Sequence, residues 1–183
     1  MKETALIETV VSREEKYRGG IIDVEKWQVR LPNGDIATRD VVLHNGASAV
    51  VAMDNQNRVA MVRQFRCPVD RVTLELPAGK LDHKEEDPLL CAKRELEEET
   101  GLRAACWQKL IDVRTTPAFC TEKISIYLAT DLSQHQSHTD EDEFISAAFY
   151  PLSDLLQMIR EGSLSDGKTV TGLLLAKDVL SNK

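Results

Sequence analysis

A helix whose two ends are both marked by residue type lies in the middle of the chain. Asp87 is a residue type that caps helix N-termini, and Pro88 suits the first helical position because it lacks a backbone N–H. Gly101 suits the left-handed position that follows a last helical turn. The pattern therefore predicts one helix between Asp87 and Gly101, with an apolar side that the fold must cover.

Three glutamates share one side of this predicted helix. Glu95, Glu98 and Glu99 are three and four residues apart, a spacing that places side chains on the same helix face. They lie beside the apolar stripe of the helix, where clustered carboxylates are costly unless a cation sits among them. Mg²⁺ or Mn²⁺ is the natural partner for such oxygens. The alternative is a solvated, glutamate-rich face.

The composition of the chain excludes several classes of function. Its 183 residues carry a net charge of -7, so we expect no nucleic-acid partner. No apolar run approaches the roughly 20 residues of a membrane span, and the first twenty residues lack the apolar centre of a signal peptide. We therefore expect no membrane partner and a cytoplasmic protein. The four cysteines form no C-x-x-C pair and are interpreted as reduced thiols.

Most of the remaining pattern is typical of strands. Asn33-Gly34 between two alternating segments predicts an antiparallel hairpin with arms over 21–31 and 35–43. Further strands are predicted over 47–53, 59–65, 72–76, 105–113, 124–129 and 144–150, and two more helices follow, one capped by Ser153 and one over 168–180. Strands outnumber helices, which indicates an α/β or α+β class. We expect an N-terminal antiparallel β extension over 1–45 and a main domain over 46–183.

The residues around the first helix follow a pattern of fixed spacing. The matching residues are Gly79, Glu86, Arg94, Glu95, Leu96, Glu98, Glu99, Gly101 and Leu102. This run resembles the signature box of the Nudix hydrolases, G-x5-E-x7-R-E-U-x-E-E-x-G-U with U aliphatic, with one extra residue in its first loop. Choosing Glu86 over Glu85 keeps the helix length to Arg94. The resemblance implies that Gly79, Glu86, Arg94 and Gly101 are structural, with Arg94 paired to Glu86.

The resemblance also implies a fold, a reaction and a metal site. The fold would be an α/β/α sandwich around a mixed β-sheet, and the reaction would be hydrolysis of a nucleoside diphosphate linked to another group. Glu95 and Glu99 would bind the catalytic Mg²⁺ or Mn²⁺, with Glu98 and the carbonyl of Ala78 as further ligands. Such a cation activates water and neutralises the pyrophosphate, so no covalent nucleophile is needed.

Matches outside the box resemble the ADP-ribose pyrophosphatase branch of this family. Pro117 follows Leu102 by fifteen residues, and the loop over 116–122 resembles the branch's S-P-G-x-x-x-E with alanine at the glycine. Upstream matches occur in order at Leu31-Pro32-Asn33-Gly34, Arg39-Asp40, Arg63-Gln64-Phe65-Arg66 and Leu74-Glu75-Leu76-Pro77-Ala78-Gly79. The resemblance implies hydrolysis of ADP-ribose, or a closely related nucleoside diphosphate sugar, to AMP and a sugar phosphate.

The same resemblance implies a set of substrate contacts. The residues in this set are Trp27, Arg39, Asp40, Arg66, Lys80, Pro117 and Glu122. Arg39 and Arg66 would supply the local positive charge that a chain of net charge -7 needs to hold an anion; otherwise they are solvated strand ends. Trp27 is either a stacking platform for adenine or a buried core residue. Family members dimerise by exchanging this N-terminal unit, so a homodimer is expected.

A polar run over 133–143 ends in four consecutive acids. Loops of this length are often active-site loops, although a mobile solvated loop is the alternative. The resemblance implies that a glutamate of this loop deprotonates the attacking water. Glu141 fits the base and Glu143 the metal contact, and the two roles are interchangeable. Glu98 is the alternative base on the helix.

Two other functions remain open at this point. The segment from Ser165 to Val170 also resembles pyrophosphatases that act on GDP-mannose or similar nucleotide sugars. A nucleotide-binding sensor without catalysis is the alternative from another class. Such sensors usually lose glutamates of the box, whereas this chain has them all.

Overall fold

The computed structural model describes residues 3–135 and 144–181. These residues divide into an N-terminal unit, which runs to Asn45 and includes Arg114–Glu122, and a main unit, which holds Gly46–Val113 and the described residues from Lys123 onward. The strands are β1 (Thr9–Arg18), β2 (Asp23–Arg30), β3 (Ile36–Leu43), β4 (Ala47–Ala52), β5 (Arg58–Arg66), β6 (Arg71–Glu75), β7 (Ala78–Lys80), β8 (Leu102–Arg114), β9 (Lys123–Gln134) and β10 (Ser146–Pro151). The helices are α1 (Pro88–Thr100), α2 (Leu152–Arg160) and α3 (Gly167–Ser181), with short 3-10 turns at Glu3–Leu6 and Cys67–Val69.

The N-terminal unit is an antiparallel sheet in the order β1-β2-β3. The predicted hairpin is confirmed: Gly34 takes a φ of +94° and donates its N–H to the Leu31 carbonyl at 2.9 Å. The sequence prediction did not include β1 as a separate strand, because the middle of β1 is a run of polar and charged residues that breaks the apolar alternation. All ten of its residues are exposed in the single chain.

The loop Arg114–Glu122 is attached to β3 by backbone hydrogen bonds. Val42 donates to the carbonyl of Phe119 at 2.7 Å, and Thr121 donates to the carbonyl of Val42 at 2.9 Å. A loop far along the chain therefore belongs to the same unit as the N-terminal strands.

The main unit contains two sheets. One is mixed, in the order β7-β4-β9-β8, with β4 parallel to β9 and antiparallel to β7. The other is antiparallel, in the order β10-β5-β6. The consecutive strands β4 and β5 lie in different sheets, and an isolated bridge joins Met53 to Val59 beside their turn.

Alternate side chains of β4 enter two separate hydrophobic clusters. Val51 belongs to the cluster that contains Leu155 of α2 and Leu173 of α3. Val50 belongs to the cluster that contains Leu96 of α1. Because successive strand residues face opposite sides of a sheet, α1 covers one face of the mixed sheet, and α2 and α3 cover the other. The predicted α/β/α sandwich is confirmed.

One predicted helix end is wrong. Helix α2 begins at Leu152 with Pro151 at the N-cap, and no side chain caps it. Ser153 lies inside the helix and donates to Asp154, while the Leu152 N–H is satisfied by the carbonyl of Asn57 at 3.0 Å. A backbone carbonyl from a distant turn replaces the side-chain cap. Among the described residues, no helix is both long enough and apolar enough to span a membrane.

Candidate active site

Both predicted ends of α1 are confirmed. The carboxylate of Asp87 accepts the N–H of Leu89 at 2.9 Å, and Pro88 occupies the first turn. Gly101 ends the helix with a φ of +67° and donates its N–H to the Glu97 carbonyl at 2.8 Å. Leu96 is completely buried, so packing fixes the rotation of the helix about its axis. That rotation decides where the glutamates point.

The glutamates of α1 meet the start of β7. The Glu99 carboxylate is buried and accepts the N–H of Ala78 at 3.1 Å. A Cβ on Gly79 would lie only 2.0 Å from the carboxylate carbon of Glu95, so this close approach requires glycine. Glu95 and Glu99 of α1 are therefore held against Gly79 and Ala78 of β7.

Arg94 joins the acids of the helix to those of the preceding loop. Its Nη1 lies 2.6 Å from Glu95 Oε1 and 3.3 Å from Glu98 Oε2. Its Nη2 lies 3.7 Å from Glu86 Oε1 and 3.6 Å from Asp82 Oδ1. Partial burial opposes the charged form of Arg94, but the charge of Glu95 and the other acids outweighs it and raises the pKa of the guanidinium. Arg94 therefore stays charged and gathers these carboxylates.

The donor set at this helix suits a hard divalent cation. It consists only of oxygens, namely the carboxylates of Glu95, Glu98 and Glu99, and the backbone N–H of Ala78 contacts Glu99. Across residues 3–135 and 144–181, no three acidic, histidine or cysteine side chains are already arranged to hold a metal ion. The carboxylates instead contact Arg94 and the Ala78 N–H. The donor chemistry fits, and the side chains must turn to converge on a cation.

Arg66, a predicted substrate residue, is held by a carboxylate that the sequence analysis did not single out. Glu75 is 3% exposed and accepts Nε of Arg66 at 2.9 Å and Nη2 at 2.8 Å. Burial opposes ionisation of Glu75, but the bonds from Arg66, the charge of Lys168 and further bonds from Lys168 and Thr73 hold its pKa at about 2. The sequence did contain a signal for this pair: Glu75 lies between the apolar residues Leu74 and Leu76, and a carboxylate buried at such a position needs a partner.

Three other predicted substrate residues line one cavity of about 310 Å³ in the N-terminal unit. They are Trp27, Arg39 and Pro117. Glu8 also lines this cavity, and its carboxylate lies 2.5 Å from the guanidinium of Arg39. The guanidinium of Arg13 lies 4.4 Å from the centre of the Trp27 ring, so a cation already covers this ring.

The remaining predicted residues lie elsewhere. Asp40 follows Arg39 on β3 and is exposed, pointing to the opposite face of the strand. Glu122 is 3.8 Å from Nδ1 of His44. The Lys80 carbonyl accepts Nη2 of Arg94 at 3.3 Å. Glu141 and Glu143 lie outside the described residues.

Comparisons with known proteins identify the family. The family model of the NUDIX domain matches residues 42–171. The chain is 39% identical over 180 residues to a methanol dehydrogenase activator of Bacillus methanolicus, covering 96% of this chain and 97% of that protein. It is 40% identical over 167 residues to an ADP-ribose pyrophosphatase of Mycobacterium tuberculosis, covering 90% of this chain and 80% of that protein.

A solved structure shares the fold. The crystal structure of an ADP compounds hydrolase matches with a TM-score of 0.83 over 97% of this chain and 96% of that chain, at 22% sequence identity. The family match covers well over half of the chain and includes the whole of α1 with the Gly79 turn against which its glutamates lie. The chain therefore belongs to the Nudix family and is a Nudix hydrolase.

Proposed function

We propose that this enzyme hydrolyses the pyrophosphate bond of ADP-ribose, giving AMP and ribose 5-phosphate by attack of water at phosphorus. The observation that carries the proposal is the seating of Glu95 and Glu99 against Gly79 and Ala78, which places oxygen donors at one end of β7. The 40% identity to an ADP-ribose pyrophosphatase supports the choice of substrate. A closely related nucleoside diphosphate sugar is included in this class.

Nudix hydrolases generally depend on divalent metal ions. We assign Glu95, Glu98, Glu99 and the Ala78 carbonyl as the groups that would hold Mg²⁺ or Mn²⁺, with Glu143 as a further ligand from outside the described residues. Such an ion supplies Lewis-acid stabilisation of phosphoryl oxygens and lowers the pKa of water. Arg94 offsets part of the charge of the glutamates and, through its contacts with Glu95 and Glu98, limits where their carboxylates can turn.

The substrate contacts form two groups of side chains. In the main unit, the guanidinium of Arg66 and the backbone at Gly79 and Lys80 would bind the phosphates. In the N-terminal unit, the cavity lined by Trp27 and Arg39 would bind the adenine, and its 310 Å³ volume suits a purine ring.

The roles of the other site residues are proposed from the sequence resemblance. Pro117 would shape the wall of the N-terminal cavity, Glu122 would contact the terminal ribose, and Asp40 would be a further substrate contact. Glu141 would take the proton of the attacking water, with Glu143 or Glu98 as the alternative base.

We further propose that the protein is a cytoplasmic homodimer in which the N-terminal extension over 1–45 forms much of the interface. In the single chain every residue of β1 is exposed, among them Val10, Val11 and Tyr17. An exposed strand edge with apolar side chains favours pairing with a second copy. Light scattering at micromolar concentration should give twice the chain mass; a monomer with full activity would contradict the dimer. None of the four cysteines, all within the described residues, forms a disulfide, which suits a reducing compartment.

A hydrolysis screen with Mg²⁺ tests the reaction. ADP-ribose, GDP-mannose, UDP-glucose, NADH and a diadenosine polyphosphate are compared at equal concentration, and the products are separated by chromatography. We expect the highest kcat/KM for ADP-ribose, with AMP and ribose 5-phosphate in equal amounts. Water labelled with ¹⁸O should place the label in one of the two phosphates, as attack at phosphorus requires. A preference for GDP-mannose would favour the alternative substrate, and binding without hydrolysis of any compound would favour a sensor.

A further inference from the structure

A buried network of charges lies around Glu75, outside the glutamate cluster of α1. The Glu75 carboxylate is 3% exposed and accepts bonds from Arg66, from Lys168 Nζ and from the Thr73 hydroxyl. A buried carboxylate is tolerated only when it is fully paired. In this network two cations, Arg66 and Lys168, share the one buried carboxylate.

Arg66 is bound to Glu75 through one edge of its guanidinium. Nε and Nη2 donate to the two carboxylate oxygens, at 2.9 and 2.8 Å, and this fixes the plane of the group. The side chain of Arg66 is 42% exposed and lines a cavity of about 540 Å³ in the main unit together with Arg63 and Arg71. Among the described residues, the hydrogen bonds of Arg66 use Nε and Nη2, so Nη1 can bind an oxyanion.

Lys168 is held in place by its neighbours at the start of α3. Its Nζ contacts both Glu75 and Asp166 Oδ2, the second at 3.1 Å, and its side chain is only 12% exposed. Asp166 also accepts the N–H and the hydroxyl of Thr169, at 3.1 and 2.6 Å. The Thr169 hydroxyl in turn accepts the N–H of Leu76, the residue after Glu75, at 2.9 Å. The segment Asp166–Thr169 thus anchors both Lys168 and the backbone beside Glu75.

The charges of this network are balanced. Arg66 and Lys168 are cationic, and Glu75 and Asp166 are anionic. Without Lys168, the carboxylate of Glu75 would have Arg66 as its only cationic partner, and the network would carry one net negative charge. A negative network would repel an anionic substrate and would draw the guanidinium of Arg66 inward.

We propose that Glu75 and Lys168 are positioning residues for substrate binding, which together hold the guanidinium of Arg66 so that its free end meets a phosphate of the nucleoside diphosphate. This inference rests on the proposed function, since it takes Arg66 as a substrate contact. It gives the Asp-Gly-Lys-Thr segment at the start of α3 a role in substrate binding that acts through Arg66.

Steady-state kinetics on ADP-ribose test the proposal with Lys168→Met, Lys168→Arg and Glu75→Gln. Lys177→Met is the matched control because Lys177 is an exposed lysine on the same helix. We expect Lys168→Met to raise KM about tenfold with kcat changed less than about twofold, since a charged hydrogen-bond network of this kind acts on binding. Lys168→Arg, which keeps the charge and the donors, should recover most of the affinity. Lys177→Met should leave KM unchanged.

The outcomes separate a positioning role from a structural one. A lowered Tm with unchanged KM in both Lys168→Met and Glu75→Gln would overturn the inference. In that case, a raised KM in Arg66→Gln would still support the proposed function, because it would show that Arg66 binds the substrate. If Glu75→Gln does not fold, Lys168→Met decides the question, because it leaves the Arg66–Glu75 pair in place. A wild-type enzyme that hydrolyses no nucleoside diphosphate sugar would overturn both the proposed function and this inference.

Discussion

Replacing Gly79 with alanine places a methyl group against the carboxylate of Glu95. The new Cβ would lie 2.0 Å from the carboxylate carbon and Oε1 of Glu95 and 2.3 Å from Oε2. The backbone of Gly79 is outside the left-handed region, so alanine adds no backbone strain. The three atoms nearest to the new Cβ are all at the end of a flexible side chain.

The size of the effect follows from that distance. An ordinary contact needs at least 3.4 Å, so the carboxylate must shift by about 1.4 Å. Metal–ligand distances tolerate deviations of about 0.2 Å, and a misplacement of about 1 Å at a reacting centre costs about 10²-fold in rate. We therefore expect kcat/KM of Gly79→Ala to fall at least about 100-fold. Stability should change little, because the loss of unfolded-chain entropy, about 0.4–1 kcal/mol, offsets a rotamer strain of similar size.

The assay pairs hydrolysis of ADP-ribose with thermal unfolding and a Mg²⁺ titration. Gly20→Ala is the control, since within the described part of the single chain no atom beyond the two neighbouring residues lies within 4 Å of its added Cβ. We expect Gly79→Ala to keep its Tm within roughly 4 °C of the wild type, the shift that about 1 kcal/mol produces in a chain of this size. Its half-saturating Mg²⁺ concentration should rise. The control should match the wild type in all three measurements.

Two results would refute this reasoning. Near wild-type turnover with an unchanged Mg²⁺ requirement would show that Glu95 does not need its place over Gly79 to support catalysis. A fall in Tm far beyond 4 °C would show that backbone, and not only a side-chain end, is displaced. Loss of activity in the Gly20→Ala control would show that the assay reports general damage.

Four further predictions concern other parts of the protein. Glu99→Gln should lower kcat at least roughly 100-fold without loss of fold; near wild-type turnover at saturating Mg²⁺ would remove Glu99 from the metal site. Glu75 has a pKa of about 2 in the fold against 4.5 ordinarily, so its contribution to stability is complete above pH 4.5 and is lost as pH falls through about 2. The difference in Tm between wild type and Glu75→Gln should therefore shrink over that interval; a constant difference would contradict the pairing. Trp27→Ala should raise KM for ADP-ribose about tenfold with kcat kept, measured alongside GDP-mannose, and an unchanged KM would place the adenine elsewhere. Glu141→Gln should depress kcat far more than KM while Asp140→Asn does little, and equal small effects would assign the base to another residue.

The helix that carries the chemistry could be predicted from sequence because its ends are local. Asp87 bonds the N–H two residues later, Pro88 sets its own φ, and Gly101 supplies a left-handed φ that other residues rarely adopt. The Asn33-Gly34 turn is local in the same way. Spacing along one helix also places Glu95 and Glu99 on a shared face without any tertiary information.

Only the tertiary structure decided which distant groups meet. Glu75 and Lys168 are 93 residues apart, and the choice of Lys168 as partner depends on how α3 packs against β4 and β9. The separation of β4 and β5 into two sheets and the attachment of Arg114–Glu122 to the N-terminal strands are also long-range outcomes. Residue type restricts backbone angles and hydrogen bonds within a few positions. Pairing between remote side chains is determined instead by the burial of apolar faces over the whole chain, which no short window of sequence contains.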